Sequence, residues 1–571
     1  MTLSFARRTA LLVVLPALVA ACTESDPTRA QGPQATVSVD GSTDPSGAQP
    51  TTSPSASPSE DNGITPVTGT NPFSDNDQVL TVAIKDPATL DPMLIGDPGS
   101  TLVARQLYEG LTRWDAGEAK VVPAVAESWK VADGGAKFTF KLRSELTFHD
   151  GSAVTAHDFV FAFNRIAQRR NASELAYLLQ RVKGFAEVNE IGKTKHLVGI
   201  RAPDNMTLVI ELTEPDQDFP AALTHPGLVP LVKEAVANEN EFLRNPVGNG
   251  PFKMAQPWDV GGEIYLQAFS GGPEQPSLDG LRLIPYPEAA VSWLDFLEAQ
   301  LDVSEAPAGQ LEDAAKRFGD ENFQPLMNGY AYGLNVSAKK FKNANLRKAI
   351  NLGIDRAVIG KVVYNGVMKP ARGIVPPGVN GFEKDLCEKL CSFAPKKAKE
   401  LISTVPAADR DLTLQFPNDA PHDEVAKLVR RNLNSIGFDV TLDGLKFKEF
   451  FNLLQTGKHS VYRLTWLSEY QSPDAFLGAL FESSSPDNHS GFSSGKVDAL
   501  LAKARSEPKP KKRLDLYRRV EKLVLEAVPI VPLGFFTVHW AAQPEVQGFE
   551  VDSTGGFDAV SISLEEQPEE S

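Results

Sequence analysis

The sequence predicts an α/β fold divided into two or more lobes, and two observations carry that prediction. The chain has 571 residues, more than the roughly 250–300 at which a single hydrophobic core stops growing. The stretch from Leu412 to Leu442 reads strand, helix, strand: LTLQF, then apolar residues at helical spacing from Glu424 to Ile436 closed by Gly437, then FDVTL. That order is the mark of a parallel pair joined by a right-handed crossover.

Each further element has its own signal. Val79 to Ile84 is a short strand, followed by the turn Thr89-Leu90-Asp91-Pro92 and a helix presenting Leu102, Val103, Leu107 and Leu111 on one face. KFTFKLR, from Lys137 to Arg143, alternates strictly, as a half-buried strand does. Thr155 and Asp158 form an acid-ended capping box for a helix with Phe159, Phe163 and Ile166 inward. Thr207 to Leu212 is another strand. Gly248 to Phe252 is a glycine-rich turn without the lysine and helix that a phosphate cradle needs. Asn345 to Arg356 is an amphipathic helix, as is the segment holding Leu516, Val520, Leu523 and Val524. Pro529 to Phe535 is a strand whose prolines suit an edge or a crossing between lobes.

Composition excludes some functions. With 42% hydrophobic and 23% charged residues the chain is ordinary for a globular protein, and its formal charge of −16 argues against nucleic acid as a partner. The basic run Lys509 to Arg519 reads as a solvated helix face. At the N-terminus, Arg7-Arg8, an apolar run from Ala10 to Leu18 and Val19-Ala20-Ala21-Cys22 make a secretory signal. The paired arginines leave general or twin-arginine export open. From Thr23 to about Asn76 the residues are mainly Ser, Thr, Pro, Gly, Gln and Asp with almost no large apolar residue, which reads as a flexible tether or an O-glycosylated stalk. Cys387 and Cys391 are expected as a small disulfide in an oxidising compartment, or else as two buried thiols; a metal site would need more ligands.

The most informative stretch is Arg463 to Phe481, RLTWLSEYQSPDAFLGALF. It sets Glu469 between Trp466 and Tyr470, and an acid among aromatics is costly without a cation. A ligand's ammonium is one candidate for that cation. No catalytic constellation emerges elsewhere. Gly491 to Gly495 satisfies G-x-S-x-G, yet the preceding SSSPDNHS is a loop rather than the strand a nucleophile elbow requires. The eight histidines show no metal-binding spacing, and no cofactor is expected.

Several motifs, in order, resemble one family. They are LTVAIKDPATLDP, LYEGLTRWD with PAVAESW, FTFKLRSELTFHDGSAVTAHDFVFAFNRI, GNGPFKM, LRKAINLGIDRAVI with PPG, and the run from VDALLAKARSEPKPKKRLDLYRRVEKLVLEAVPIVPL. Together they resemble the extracellular solute-binding proteins of family 5, the oligopeptide-, dipeptide- and nickel-binding lipoproteins of ABC transporters. The resemblance implies a two-lobe clamshell of the periplasmic-binding-protein kind, with an extra subdomain in the first lobe. It implies a signal peptide over 1–21, a tether over 22–76, lobe 1 over 77–334 with the subdomain at about 114–245, lobe 2 over 335–534, and a return to lobe 1 over 535–571.

By the same resemblance the protein is a monomeric, non-enzymatic carrier. It captures a short peptide and delivers it to a permease backed by ATPase subunits, and lipidated Cys22 holds it to the outer face of the cytoplasmic membrane. Glu469 falls where relatives bind a peptide's ammonium with aspartate, Trp466, Leu467 and Tyr470 flank the ligand, and Arg463 meets a carboxylate or steadies Glu469. Tyr332, Gly333 and Asn335 match one hinge crossing and Phe535 the other. A nickel chelate, haem, glutathione or a sugar as cargo, and peptide sensing without import, are the competing readings.

Overall fold

The computed structural model describes residues 71–565; the expected signal peptide, Cys22 and all but the last residues of the expected tether lie outside the described residues. The tether ends sooner than expected. Phe73 already rests on the body, its ring 6.3 Å from that of Tyr265.

A twelve-stranded sheet runs through the molecule. Its order is Asp439–Leu445, Asp411–Pro417, Val461–Leu467, Asn328–Leu334, Ile530–Ala542, Val303–Glu305, Val79–Ile84, Gly280–Pro285, Ile264–Ala268 and Phe252–Met254. Two short strands, Phe323–Pro325 and Met368–Pro370, pair with Ile530–Ala542 beside that path. The expected parallel pair is present: Leu412 faces Val440 and Leu414 faces Leu442, with helix His422–Ile436 between them and Gly437 closing it at φ 110°. The capping box also forms, Asp158 accepting the Thr155 N–H at 2.8 Å and its hydroxyl at 2.7 Å.

The strand Ile530–Ala542 joins the lobes. Its first half pairs with Asn328–Leu334 in lobe 2, and Trp540 to Ala542 pair with Val303–Glu305 in lobe 1. The other crossing is Leu326-Met327, where the chain leaves its pairing with Thr537 to His539 and enters the lobe 2 sheet at Asn328. The crossing expected at Tyr332, Gly333 and Asn335 therefore moves upstream. Those residues sit inside lobe 2, Tyr332 opposite Arg463 and Gly333 opposite Tyr462. Gly333 has a packing reason to be glycine, because a Cβ there would meet the Tyr462 ring at 2.1 Å. The Asn335 amide donates to the carbonyls of Gly457 and His459, both at 2.9 Å. Phe535 lies one residue before the second crossing.

Lobe 1 shares one apolar core with a four-stranded sheet, Ala126–Ala132, Lys137–Leu142, Thr207–Glu211 and Ile200–Asp204, inside the expected subdomain. Lobe 2 has a core on each face of its sheet. Cys387 and Cys391 form a disulfide in the second of these, their Cα atoms 5.4 Å apart. No helix among the described residues is long and apolar enough to cross a membrane.

Candidate functional site

Between the lobes lies a cavity of about 890 Å³, lined by residues of both. Strand alternation decides which side chains of Val461–Leu467 reach it. Arg463, Thr465 and Leu467 point one way and line the cavity, while Trp466 points the other. The Trp466 indole packs with the back-face core of lobe 2 and donates to the Ala475 carbonyl at 2.7 Å. Phe535 faces the same rear hollow, and its neighbour Phe536 faces the cavity. Of the residues expected around the ligand, the structure thus brings Glu469, Arg463, Leu467 and Tyr470 to one wall and turns Trp466 away, toward the side that the expected hinge residue Phe535 also faces.

Glu469 follows the strand, on the turn beginning at Ser468. Its Oε2 accepts the Tyr177 hydroxyl at 2.7 Å and lies 3.7 Å from His225 Nε2. His225 Nδ1 accepts the Gly227 N–H at 3.0 Å, so the neutral ring carries its proton on Nε2, toward the carboxylate. Burial lowers the His225 pKa, the Glu469 carboxylate opposes that shift and Arg105 adds to it. Tyr177 and His225 both belong to lobe 1, so Glu469 is met from across the cleft.

Arg463 stands in a different setting. It is 6% exposed, and its Nε has no hydrogen-bond partner among the described residues. Its guanidinium carbon lies 5.5 Å from the centre of the Tyr330 ring, and no described carboxylate forms an ion pair with it. The Tyr330 hydroxyl is 3.1 Å from His422 Nδ1. Burial, reinforced by Arg463, pushes the His422 pKa down to about 3, so the ring is neutral near pH 7. Burial raises the Tyr330 pKa to about 12 against the pull of Arg463. Buried Tyr364 Oη and Thr465 Oγ1 also lack hydrogen-bond partners among the described residues, and both residues line the cavity. This end of the cleft therefore holds one buried cation among hydroxyls, with Asp419, 3.7 Å from His422 Nε2, as a neighbouring carboxylate that forms no ion pair with Arg463.

Sequence reading did not single out Tyr177, His225, Tyr330, Tyr364 or His422 for the site, nor Trp540, which lines the cavity. These side chains come from segments far apart in the chain. The one local clue was the tyrosine-rich run NGYAYG. The G-x-S-x-G serine, Ser493, shares a hydrogen bond with Ser483 at 3.0 Å.

A clamshell whose lobes meet over a charged cleft is the architecture of a solute-binding protein, and comparison with known proteins gives the family. Residues 120–488 match the model of bacterial extracellular solute-binding proteins, family 5. The chain belongs to that family. It is similar to the oligopeptide-binding protein OppA of Bacillus subtilis, 28% identical over 83% of this chain and 91% of the relative. It is also similar to a probable deoxycholate-binding periplasmic protein of Escherichia coli, 28% identical over 81% and 89%. Among solved structures it resembles the unliganded open form of the murein tripeptide binding protein MppA, with TM-score 0.74 and 24% identity over 86% of this chain and 98% of that one. An OppA of Haemophilus influenzae in complex with RPPGFSPFR is similar with TM-score 0.66 and 23% identity over 86% and 99%.

Proposed function

We propose that this protein is the peptide-capturing component of an ABC importer, binding a short peptide in the cleft and delivering it to a membrane permease. One observation carries the reading: a single wall of the cleft bears a carboxylate, Glu469, and a buried cation, Arg463, that forms no ion pair among the described residues. A zwitterionic chain complements that pair, its ammonium on Glu469 and its carboxylate on Arg463. From Arg463 to Leu467 the strand advances about 13 Å, and Glu469 lies two residues further, up to about 20 Å away. At roughly 3.3–3.6 Å per residue that suits an extended peptide of about four to six residues. Binding through termini and backbone tolerates varied side chains, with water filling the remaining volume. The protein supplies no catalysis in this role. Lipidation of Cys22 holds it at the outer face of the cytoplasmic membrane, and Ser/Thr/Pro-rich sequence provides the reach to the permease.

Calorimetry tests the reading directly. A free pentapeptide should bind, and its N-acetylated and C-amidated forms should each bind at least about tenfold more weakly, since each loses a charge-assisted contact. Equal affinity for all three would remove the basis for the assignment. The deoxycholate-binding relative motivates a second reading, a cargo with a carboxylate and no ammonium. Glu469→Ala separates the two, because it should impair peptide binding and leave an acid of that kind unaffected.

A further inference from the structure

The turn that carries Glu469 continues into contacts that tie it to lobe 1. Tyr470 packs against the apolar cores of both lobes. The Gln471 amide donates to the Ser553 hydroxyl of lobe 1. The Ser472 hydroxyl donates to Asp218 of lobe 1 at 2.9 Å, and Arg181 of lobe 1 donates to Asp474 at 2.9 Å. Behind the turn, Arg513 Nε lies 2.7 Å from Asp218, and the Gln217 N–H donates to the Arg505 carbonyl at 2.8 Å. Arg181, Asp218, Ser472, Asp474 and Arg513 are all absent from the cavity lining.

We propose that Ser472, Asp474 and Arg513 of lobe 2, with Arg181 and Asp218 of lobe 1, form a clasp that favours lobe closure independently of the cargo. Its pairs are well covered, with side-chain exposures of 24% and 6% for Arg181 and Asp474 and 12% and 15% for Arg513 and Asp218. Water screens such pairs less than it screens surface ones. The charges are ionised near neutral pH. Burial raises the Asp218 pKa to about 6 against the pull of Arg513. Against burial, Arg505 and Arg181 hold Asp474 below its usual value.

The clasp is also built to release. Arg181 binds Asp216 on its own lobe at 2.5 Å, and Asp474 binds Arg505 on its own lobe at 3.0 Å. Opening therefore breaks the Arg181–Asp474 contact without stranding either of those two charges, which favours a reversible switch. Because the same turn carries Glu469, seating the ligand's amino end and seating the clasp are one movement.

The test measures distances between lobes in the free protein, so its result does not depend on which cargo binds. Spin labels on Val131→Cys and Val362→Cys, with Cys22→Ser, report the separation by double electron–electron resonance. Wild type should show a closed population, and Arg513→Gln should lower the closed-to-open ratio by roughly fivefold or more. The exchanged pair Asp218→Arg with Arg513→Asp should restore it. If Arg513→Gln fails to fold, Ser472→Ala should give a smaller shift in the same direction. Distance distributions that are the same in wild type and variants would overturn the clasp.

Discussion

The two ends of the cleft are built on different plans. At the Glu469 end the carboxylate comes from lobe 2 and its donors, Tyr177 and His225, come from lobe 1. At the Arg463 end the cation and its neighbours Tyr330, Tyr364 and His422 all belong to lobe 2. The Arg463 end therefore exists before the lobes meet, and the Glu469 end is completed only by closure. On the proposed assignment of the ligand's termini, binding has an order: the carboxylate docks on a preformed surface, and closure then assembles the amino-end site.

Arg463→Ala should have the largest effect, because it removes the preformed end and leaves a bound carboxylate without its partner. Loss of a buried charge partner typically costs 2–5 kcal/mol, so affinity for a free peptide should fall about 30-fold or more by calorimetry. The C-amidated peptide should be nearly unaffected. An equal loss for both peptides would mean that Arg463 only supports the wall.

Tyr177→Phe should act more mildly, since it deletes one hydrogen bond that forms on closure. A cost of about 0.5–1.5 kcal/mol corresponds to a weakening of roughly two- to tenfold. Stopped-flow measurements should place the change in dissociation, with association preserved. A slower association instead would show that the Glu469 end is engaged first.

The smallest effect expected is a pH dependence at the preformed end. The His422 pKa is depressed to about 3, so the unfolded chain binds more protons than the folded one below about 6.5. The stability linked to this group is present above that value and is lost as the pH falls toward about 3. His422→Gln should remove that contribution, so its melting temperature should decline less than that of wild type on acidification from pH 6.5 to 4. Parallel declines would show that His422 takes no part in acid sensitivity.

What could be read in advance follows from locality. Leu412 to Leu442 declared its parallel pair because strand and helix periods change within one short stretch. Thr155 and Asp158 declared a helix start because a capping box is a contact over three residues. Glu469 stood out because an acid beside aromatics is locally anomalous, and Arg463 gained meaning from its place in a family pattern. Trp466 shows the limit. Its strand is central and buried, with Arg463 and Thr465 on one face and Tyr462, Leu464 and Trp466 on the other, and alternation alone did not say which face would meet the cleft. The crossing was misplaced for a related reason, as a strand that passes from one lobe to the other carries no local mark where it does so.

The sequence by itself determined the element order, the two-lobe α/β class and the presence of opposite charges at Glu469 and Arg463. The elements, the α/β class and the charges depend on short-range periodicity, caps or local charge, and the division into lobes rests on chain length and the family resemblance. Tertiary structure alone decided that Tyr177 and His225 face Glu469, that Trp466 turns to the rear core, and that the turn after Glu469 reaches Arg181 and Asp218. Those are contacts between residues that the chain separates widely, and only the packing of one lobe against the other brings them together.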